Sequence, residues 1–363
     1  MKPQNQTHSN DLSITINGKS VAAREGRTIL DVAREQGIRI PTLCYHEKLQ
    51  PLESCRLCVV EVEGVRAPVT ACSTPITEGM VITTRSTALE QLRRETLKMI
   101  LLNHPLNCTP CELNGNCQLQ DLAYEYDITP RDLLTYDIAP REFEVVEYAT
   151  PLIEYHPQRC IMCGRCIAAC TEITGVSAIQ LVGSGADTRI GPVPVPAGQH
   201  ELCVSCGECM AVCPVNALTE VMAGPKGKPW NTSHVKTVCG YCGCGCELTL
   251  DVVGDAIVGV SPSEGGVNDG ELCTKGRFGY DFVNHKDRLT QPLIRRGESW
   301  EPATWDEALD LVAERFVEIR SNHGPDAFAG LSSARCTNEE NYLFQKFTRG
   351  VIGTNNVDHC ARL

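Results

Sequence analysis

Cys160-Ile-Met-Cys163-Gly-Arg-Cys166-Ile-Ala-Ala-Cys170 recurs 43 residues on as Cys203-Val-Ser-Cys206-Gly-Glu-Cys209-Met-Ala-Val-Cys213-Pro214. Each half reads C-x2-C-x2-C-x3-C, the spacing that holds a pair of [4Fe–4S] clusters. Three cysteines on one short loop reach three corners of a cube. The fourth is set back at the start of a helix and points at the other cube. The spacing therefore groups Cys160, Cys163, Cys166 and Cys213 round one cluster, and Cys203, Cys206, Cys209 and Cys170 round the other. A pair of zinc knuckles is the alternative. Zinc closes a tetrahedron with two C-x2-C units and leaves no use for a third and fourth cysteine in each run.

The surrounding composition narrows the class. A length of 363 residues allows two to four domains, and 42% hydrophobic residues suit a globular chain. The net charge of −12, with no basic stripe, argues against nucleic acid as a partner. Met1 to Asn10 has neither an apolar core nor twin arginines, and no apolar run nears the roughly 18 residues of a membrane span. The 22 cysteines then read as metal ligands in a reducing, cytoplasmic compartment rather than as disulfides.

Upstream, Leu12 to Ile16 alternates, Asn17-Gly18 turns, and Lys19 to Ala23 returns, before Thr28 caps a helix closed by Gly37. Strand, strand, helix at this length looks like the start of a β-grasp domain. Cys44, Cys55, Cys58 and Cys72 form C-x10-C-x2-C-x13-C, a variant of the [2Fe–2S] spacing. Residues 88–102 read as an amphipathic helix running into His104, Cys108, Cys111 and Cys117. A lone histidine is usually a helix-end residue. Beside three cysteines, imidazole can supply the fourth ligand of a [4Fe–4S] cluster.

Downstream, Gly183 to Gly198 reads as a Pro/Gly-rich excursion without periodicity, and no dinucleotide or P-loop fingerprint occurs. Ala223 to Pro229 reads as a linker. Cys239, Cys242, Cys246 and Cys273 then form a fifth cluster set, with Cys244 competing for the third place on spacing alone, and the hairpin Leu248 to Val260 lies between. Thr304 and Thr337 each open a capping box and a helix, with Leu309, Val312, Phe316 and Ile319 on one face of the first. Ala327 to Leu331 reads as a buried strand between them, so the last stretch looks like the beginning of a doubly wound α/β layer.

The first 220 residues resemble the electron-transfer arm shared by the complex I large iron–sulfur subunit, [FeFe]-hydrogenases and cytoplasmic NAD-linked formate dehydrogenases. Cys239-Gly-Tyr-Cys242-Gly-Cys-Gly-Cys246 with Cys273-Thr-Lys275-Gly resembles the cluster-binding entry domain of molybdopterin oxidoreductases. There valine is usual at the place of Cys244, which leaves Cys246 as the ligand. Ser332 to Lys346 and Gly353 to Leu363 are similar to the formate dehydrogenase catalytic subunit.

The resemblance implies an α+β multidomain chain. Its segments are a β-grasp [2Fe–2S] domain at 11–87, a His/Cys3 [4Fe–4S] domain at 88–145 and a two-cluster ferredoxin domain at 146–222. A molybdopterin-oxidoreductase [4Fe–4S] domain follows at 235–290, and an incomplete molybdopterin-binding α/β domain at 291–363. It implies one [2Fe–2S] and four [4Fe–4S] clusters here, and a Mo- or W-bis(molybdopterin guanine dinucleotide) centre in the full-length protein. There formate would be oxidised to CO2, or CO2 reduced. Lys275 would relay electrons between cluster and pterin; by itself it reads as a surface lysine at a glycine turn. The partner would be a flavin-containing NAD-reducing subunit or a hydrogenase. A non-catalytic electron-transfer subunit is the other reading. In the family the metal-binding cysteine or selenocysteine follows the position of Leu363, so the chain reads as cut there, at a UGA codon, and inactive toward formate by itself.

Overall fold

The computed structural model describes residues 11–136, 150–197, 201–221, 227–263 and 265–359, the Ala186 side chain apart. Most of the linker at 223–229 and the end of the last formate dehydrogenase-like stretch lie outside the described residues. The chain forms two compact units, Met1–Thr232 and Ser233–Leu363.

In the first unit, β1 (Asp11–Ile16) and β2 (Lys19–Arg24) form the expected hairpin, with Asn17 and Gly18 both at positive φ in the turn. Thr28 caps α1 (Ile29–Glu35) in a full capping box with Asp31. The strands β3 (Val59–Val62), β4 (Val69–Thr70) and β5 (Val81–Thr83) complete a five-stranded sheet in the order β2-β1-β5-β3-β4. Alternating side chains of these strands, such as Ile14, Ile16 and Val60, bury against Leu30 and Val32 of α1. That core includes Cys58 and Cys72, so hydrophobic packing positions two of the candidate ligands directly.

Ser86 caps α2 (Thr87–Leu101), which buries Leu89, Leu97 and Leu101 at helical spacing. Two short helices follow, α3 (Gln118–Glu125) and α4 (Pro130–Leu133). The doubled cysteine run is framed by β6 (Ile153–Tyr155) pairing antiparallel with β9 (Leu218–Glu220), and holds α5 (Arg165–Ala168) and α6 (Glu208–Ala211). The stretch read as an aperiodic excursion instead contains a hairpin, β7 (Ile179–Val182) with β8 (Arg189–Pro192). Its turn needs Gly183 at φ +79°, and Gly191 lets β8 pass against Val182, so the glycines that hid the strand pattern make the pairing fit.

The second unit opens with a sheet of β10 (Ser233–Val238), β11 (Glu247–Val253) and β12 (Ala256–Pro262), followed by α7 (Thr274–Phe278) and α8 (Asp281–Asn284). A hairpin of β13 (Leu293–Arg296) and β14 (Ser299–Pro302) leads to α9 (Trp305–His323). Then β15 (Gly330–Ser332), α10 (Asn338–Phe347) and β16 (Val357–His359) form a β-α-β unit with parallel strands.

Two expectations are corrected here. The strand occupies Gly330–Ser332 only, after a tight turn at Pro325–Ala327, and Leu331 is 80% exposed rather than buried. Thr304 accepts from the Glu307 amide, but Glu307 turns its carboxylate to Arg296 at 2.6 Å. Neither α9 nor α10 has a buried residue; Leu309, Val312 and Ile319 are exposed.

Candidate functional site

Cys44, Cys55, Cys58 and Cys72 are all buried, in two touching pairs. Cys44 and Cys55 Sγ atoms lie 3.4 Å apart, as do those of Cys58 and Cys72. Sharing a hydrogen bond with its partner holds Cys44 and Cys58 below the ordinary thiol range, and pushes Cys55 and Cys72 above it. Glu53 and Arg56, either side of Ser54 and Cys55, both take positive φ, the tight coil that brings this loop round its sulfurs.

The doubled run repeats its backbone as well as its sequence. Met162 and Gly164 have positive φ in the first loop, and Ser205 and Gly207 in the second. Alternation of this kind turns successive amides toward one side, the geometry of an anion-binding nest. The set-back cysteines are matched too: Ala178 N–H donates to Cys170 Sγ at 3.2 Å and Ala217 N–H to Cys213 Sγ at 3.3 Å. Cys170 lines one pocket with Cys203, Cys206 and Cys209, the crossed grouping expected from the spacing. Burial raises Cys163 to about 12, and the nearby Cys213 and Cys160 thiols add to the shift. Cys166 is raised likewise by burial, with Cys163, Cys209, Cys160 and Cys213 as charged neighbours.

His104, Cys108, Cys111 and Cys117 line one cavity of about 320 Å³. His104 Nδ1 is 3.0 Å from the Arg159 carbonyl oxygen, which fixes Nδ1 as the protonated nitrogen and leaves Nε2 with its lone pair. Burial lowers its pKa, so the ring is neutral, the form that ligates metal. Lys228 donates from Nζ to the Cys111 carbonyl on the rim of this cavity.

In the second unit, Cys239 and Cys246 pack against the small core of Leu248, Val260 and Leu272, and Cys239 N–H donates to the Cys246 carbonyl at 2.8 Å. Cys242, Cys244 and Cys273 are exposed. Burial and a hydrogen bond donated to Cys244 raise Cys246 to about 11, so these two competitors are neighbours, and Cys246 is the less exposed of the two. Cys239 and Lys275 line a cavity of about 440 Å³ together with Tyr241, Phe282 and Arg335. Tyr241 donates to the Gly279 carbonyl at 2.5 Å, a contact that any side chain at Gly279 would displace. Among the described residues, no three His, Cys, Asp or Glu side chains gather as they would round a single ion.

Arg93 and Arg165, two of the buried arginines, lie beside candidate ligands and were not singled out by the sequence. Arg93 of α2 is 1% exposed and donates to the carbonyls of Leu57 and Val59, which flank Cys58, at 3.1 and 2.7 Å. Arg165, inside the first cysteine run, is 4% exposed. Its Nη2 donates to the Tyr45 carbonyl at 2.6 Å and to Gln118 Oε1 at 3.1 Å, and its Nη1 to the Val212 carbonyl at 3.4 Å. The signal for Arg165 was present in the repeat, where Gly164-Arg165 answers to Gly207-Glu208. A charge reversal between two otherwise matched loops marks a position that the cluster geometry does not itself dictate.

Five family models match successive stretches of the chain. They are a 2Fe-2S iron-sulfur cluster binding domain over residues 9–87 and the NADH-ubiquinone oxidoreductase-G iron-sulfur binding region over 93–131. The NADH-quinone oxidoreductase subunit 3 ferredoxin-like domain follows over 150–219, then the molybdopterin oxidoreductase Fe4S4 domain over 232–285 and molybdopterin oxidoreductase over 288–363. The chain is therefore an α+β succession of iron–sulfur domains leading into molybdopterin oxidoreductase sequence. NADPH-Fe(3+) oxidoreductase subunit alpha of Geobacter sulfurreducens is 39% identical over 352 residues, covering 97% of this chain and 40% of that protein. An NADH-quinone oxidoreductase subunit of Rhizobium meliloti is 39% identical over 353 residues, again 97% of this chain and 40% of the relative. A Staphylococcus aureus protein named provisionally as a formate dehydrogenase is 33% identical over 394 residues, 97% of this chain and 39% of its own length. The chain thus spans about 40% of the length of the curated relatives it matches.

Proposed function

We propose that this chain is the iron–sulfur arm and the entry to the catalytic domain of a molybdopterin formate dehydrogenase, working with an NAD-reducing flavin subunit or a hydrogenase. The observation that carries the reading is in the second unit. Cys239 and Lys275 share one cavity, and the chain beyond them builds a parallel β-α-β unit. Formate as substrate rests on the likeness of Ser332 to Lys346 and Gly353 to Leu363 to formate dehydrogenases.

The donor sets fit the groups they would hold. Paired, buried thiols at Cys44 with Cys55 and Cys58 with Cys72 suit a two-iron cluster, two thiolates to each iron. His104, presenting Nε2 beside Cys108, Cys111 and Cys117, suits a [4Fe–4S] cluster with one imidazole ligand. Cys160, Cys163, Cys166 with Cys213, and Cys203, Cys206, Cys209 with Cys170, would hold two more, and Cys239, Cys242, Cys246 with Cys273 the fifth. When bound, the clusters supply one-electron steps, and a Mo- or W-bis(molybdopterin guanine dinucleotide) supplies the two-electron interconversion of formate and CO2. The protein's part is positional. Backbone amides of Ala178 and Ala217 stabilise thiolate charge at Cys170 and Cys213, burial keeps water from Cys44, Cys55, Cys58 and Cys72, and Lys275 holds a cation beside Cys239.

The relatives named as NADPH-Fe(3+) oxidoreductase and NADH-quinone oxidoreductase subunits support a second reading, an electron-transfer subunit fed by a nicotinamide. One experiment separates them. The full-length protein, purified anaerobically with its partners, is analysed for iron, molybdenum and tungsten and then mixed with formate, NADH or NADPH. We expect about 18 iron atoms for this arm's clusters, one Mo or W, and cluster bleaching by formate. Metal-loaded protein that is reduced by NADH or NADPH but not by formate overturns the formate assignment.

A further inference from the structure

We infer that Arg165 is a positioning residue for electron transfer, a buried cation that ties three cluster sites together and biases two of them toward the reduced state. The inference rests on the cluster reading above. Each of its hydrogen-bond partners sits next in sequence to a candidate ligand. Tyr45 follows Cys44, Gln118 follows Cys117, Val212 precedes Cys213, and Arg165 itself precedes Cys166. One guanidinium therefore holds the backbone beside the [2Fe–2S] and Cys160 sites and a side chain beside the His104 site. The first and last of these also touch directly, because Ser54 donates to the Cys163 carbonyl at 2.9 Å and Leu49 packs on Ala168 and Val212.

The electrostatics extend the geometry. A buried cation is costly unless negative charge faces it. Arg93 has such a partner, the Glu90 carboxylate at 3.2 Å. The partners of Arg165 are two carbonyls and an amide, all neutral, and its buried Nε makes no hydrogen bond. The groups its charge faces are candidate ligands of both sites, Cys163 and Cys213 on one side and Cys44 and Cys55 on the other, which are thiolates when a cluster is bound. Thiolate-bound clusters carry net negative charge that grows on reduction, and cluster potential follows net charge and hydrogen bonding. A fixed cation between two such sites stabilises the reduced form of each and eases the electron's crossing. In the second run the matching residue is Glu208, also buried, so the bias is confined to one cluster of that pair.

The test is an EPR-monitored redox titration of the full-length protein, wild type against Arg165→Gln, Arg165→Lys and Gln118→Glu. With iron content unchanged, Arg165→Gln should lower the potentials of the [2Fe–2S] cluster and one [4Fe–4S] cluster. A tenfold shift in each reduction equilibrium would read as about 59 mV for a one-electron couple. Arg165→Lys should restore most of that shift. Gln118→Glu, nearly isosteric, places a carboxylate against the cation and should lower the same potentials with Arg165 in place. It decides the matter where Arg165→Gln fails to load iron. Fully loaded variants whose potentials match wild type overturn the inference while leaving the cluster reading intact. A wild-type protein without a [2Fe–2S] signal removes that reading first and this inference with it.

Discussion

Cysteines 44, 55, 58 and 72 are all buried, Cys58 and Cys72 within the core of the five-stranded sheet's domain, whereas Cys242, Cys244 and Cys273 of the second unit lie open. The contrast follows from how much apolar surface each domain can close. The first site shares its walls with a cluster that runs from Ile14 to Ile82. The second has Leu248, Val260 and Leu272, while the helices that follow leave Trp305, Leu309, Tyr342, Leu343 and Phe347 exposed. One candidate site thus brings its own shelter, and the other has little apolar surface round it.

The sharpest way to break this comparison is to remove single thiols. Cys213→Ala and Cys246→Ala should each cost a whole cluster, about four iron atoms, while Cys244→Ala should cost none. Iron analysis with EPR reads the result, and equal losses in Cys244→Ala and Cys246→Ala would mean the exposed sulfur is the ligand. On brief exposure to air or chelator, the second unit's cluster should disappear first and the [2Fe–2S] cluster last.

Next in size is packing. Leu30→Ala, at a fully buried site on α1, should destabilise the first unit by about 2–5 kcal/mol. Leu309→Ala on α9 should stay within about 0.5 kcal/mol in this chain. Denaturant melts of the two variants measure both, and a large loss at Leu309 would show that α9 is already packed.

A smaller effect concerns the imidazole. His104→Cys should keep its cluster and lower its potential, because thiolate adds negative charge beside iron. Redox titration tests this, and unmoved potentials would return His104 to a helix-end role. Smallest is the helix caps. Thr28→Ala removes the Asp31 N–H to Thr28 Oγ1 bond, leaves the residue-28 amide on the Asp31 carboxylate, and should cost about 1 kcal/mol. Thr304→Ala removes the equivalent bond at the start of an exposed helix and should cost less.

Much of this was legible in the residues because local rules decide it. Period-two alternation with Asn17-Gly18 made the first hairpin, the Thr28 and Thr337 boxes made helix starts, and cysteine spacing grouped candidate ligands without knowledge of the fold. The hairpin at Ile179–Pro192 was hidden because its glycines serve a close approach to Val182, which no periodicity records. Hydrophobicity alone predicts burial for Leu331, but α10 packs on the strand at Gly330, and alternation points Leu331 to the other, open face. What the sequence by itself determined, then, is the inventory of elements and sulfur donors. Only the tertiary structure decided which sulfurs are sheltered, which nitrogen of His104 is free and that Arg165 meets three sites. These are matters of contact between residues up to 120 positions apart, such as Arg165 with Tyr45, and burial and charge proximity arise from such contacts rather than from neighbours in the chain.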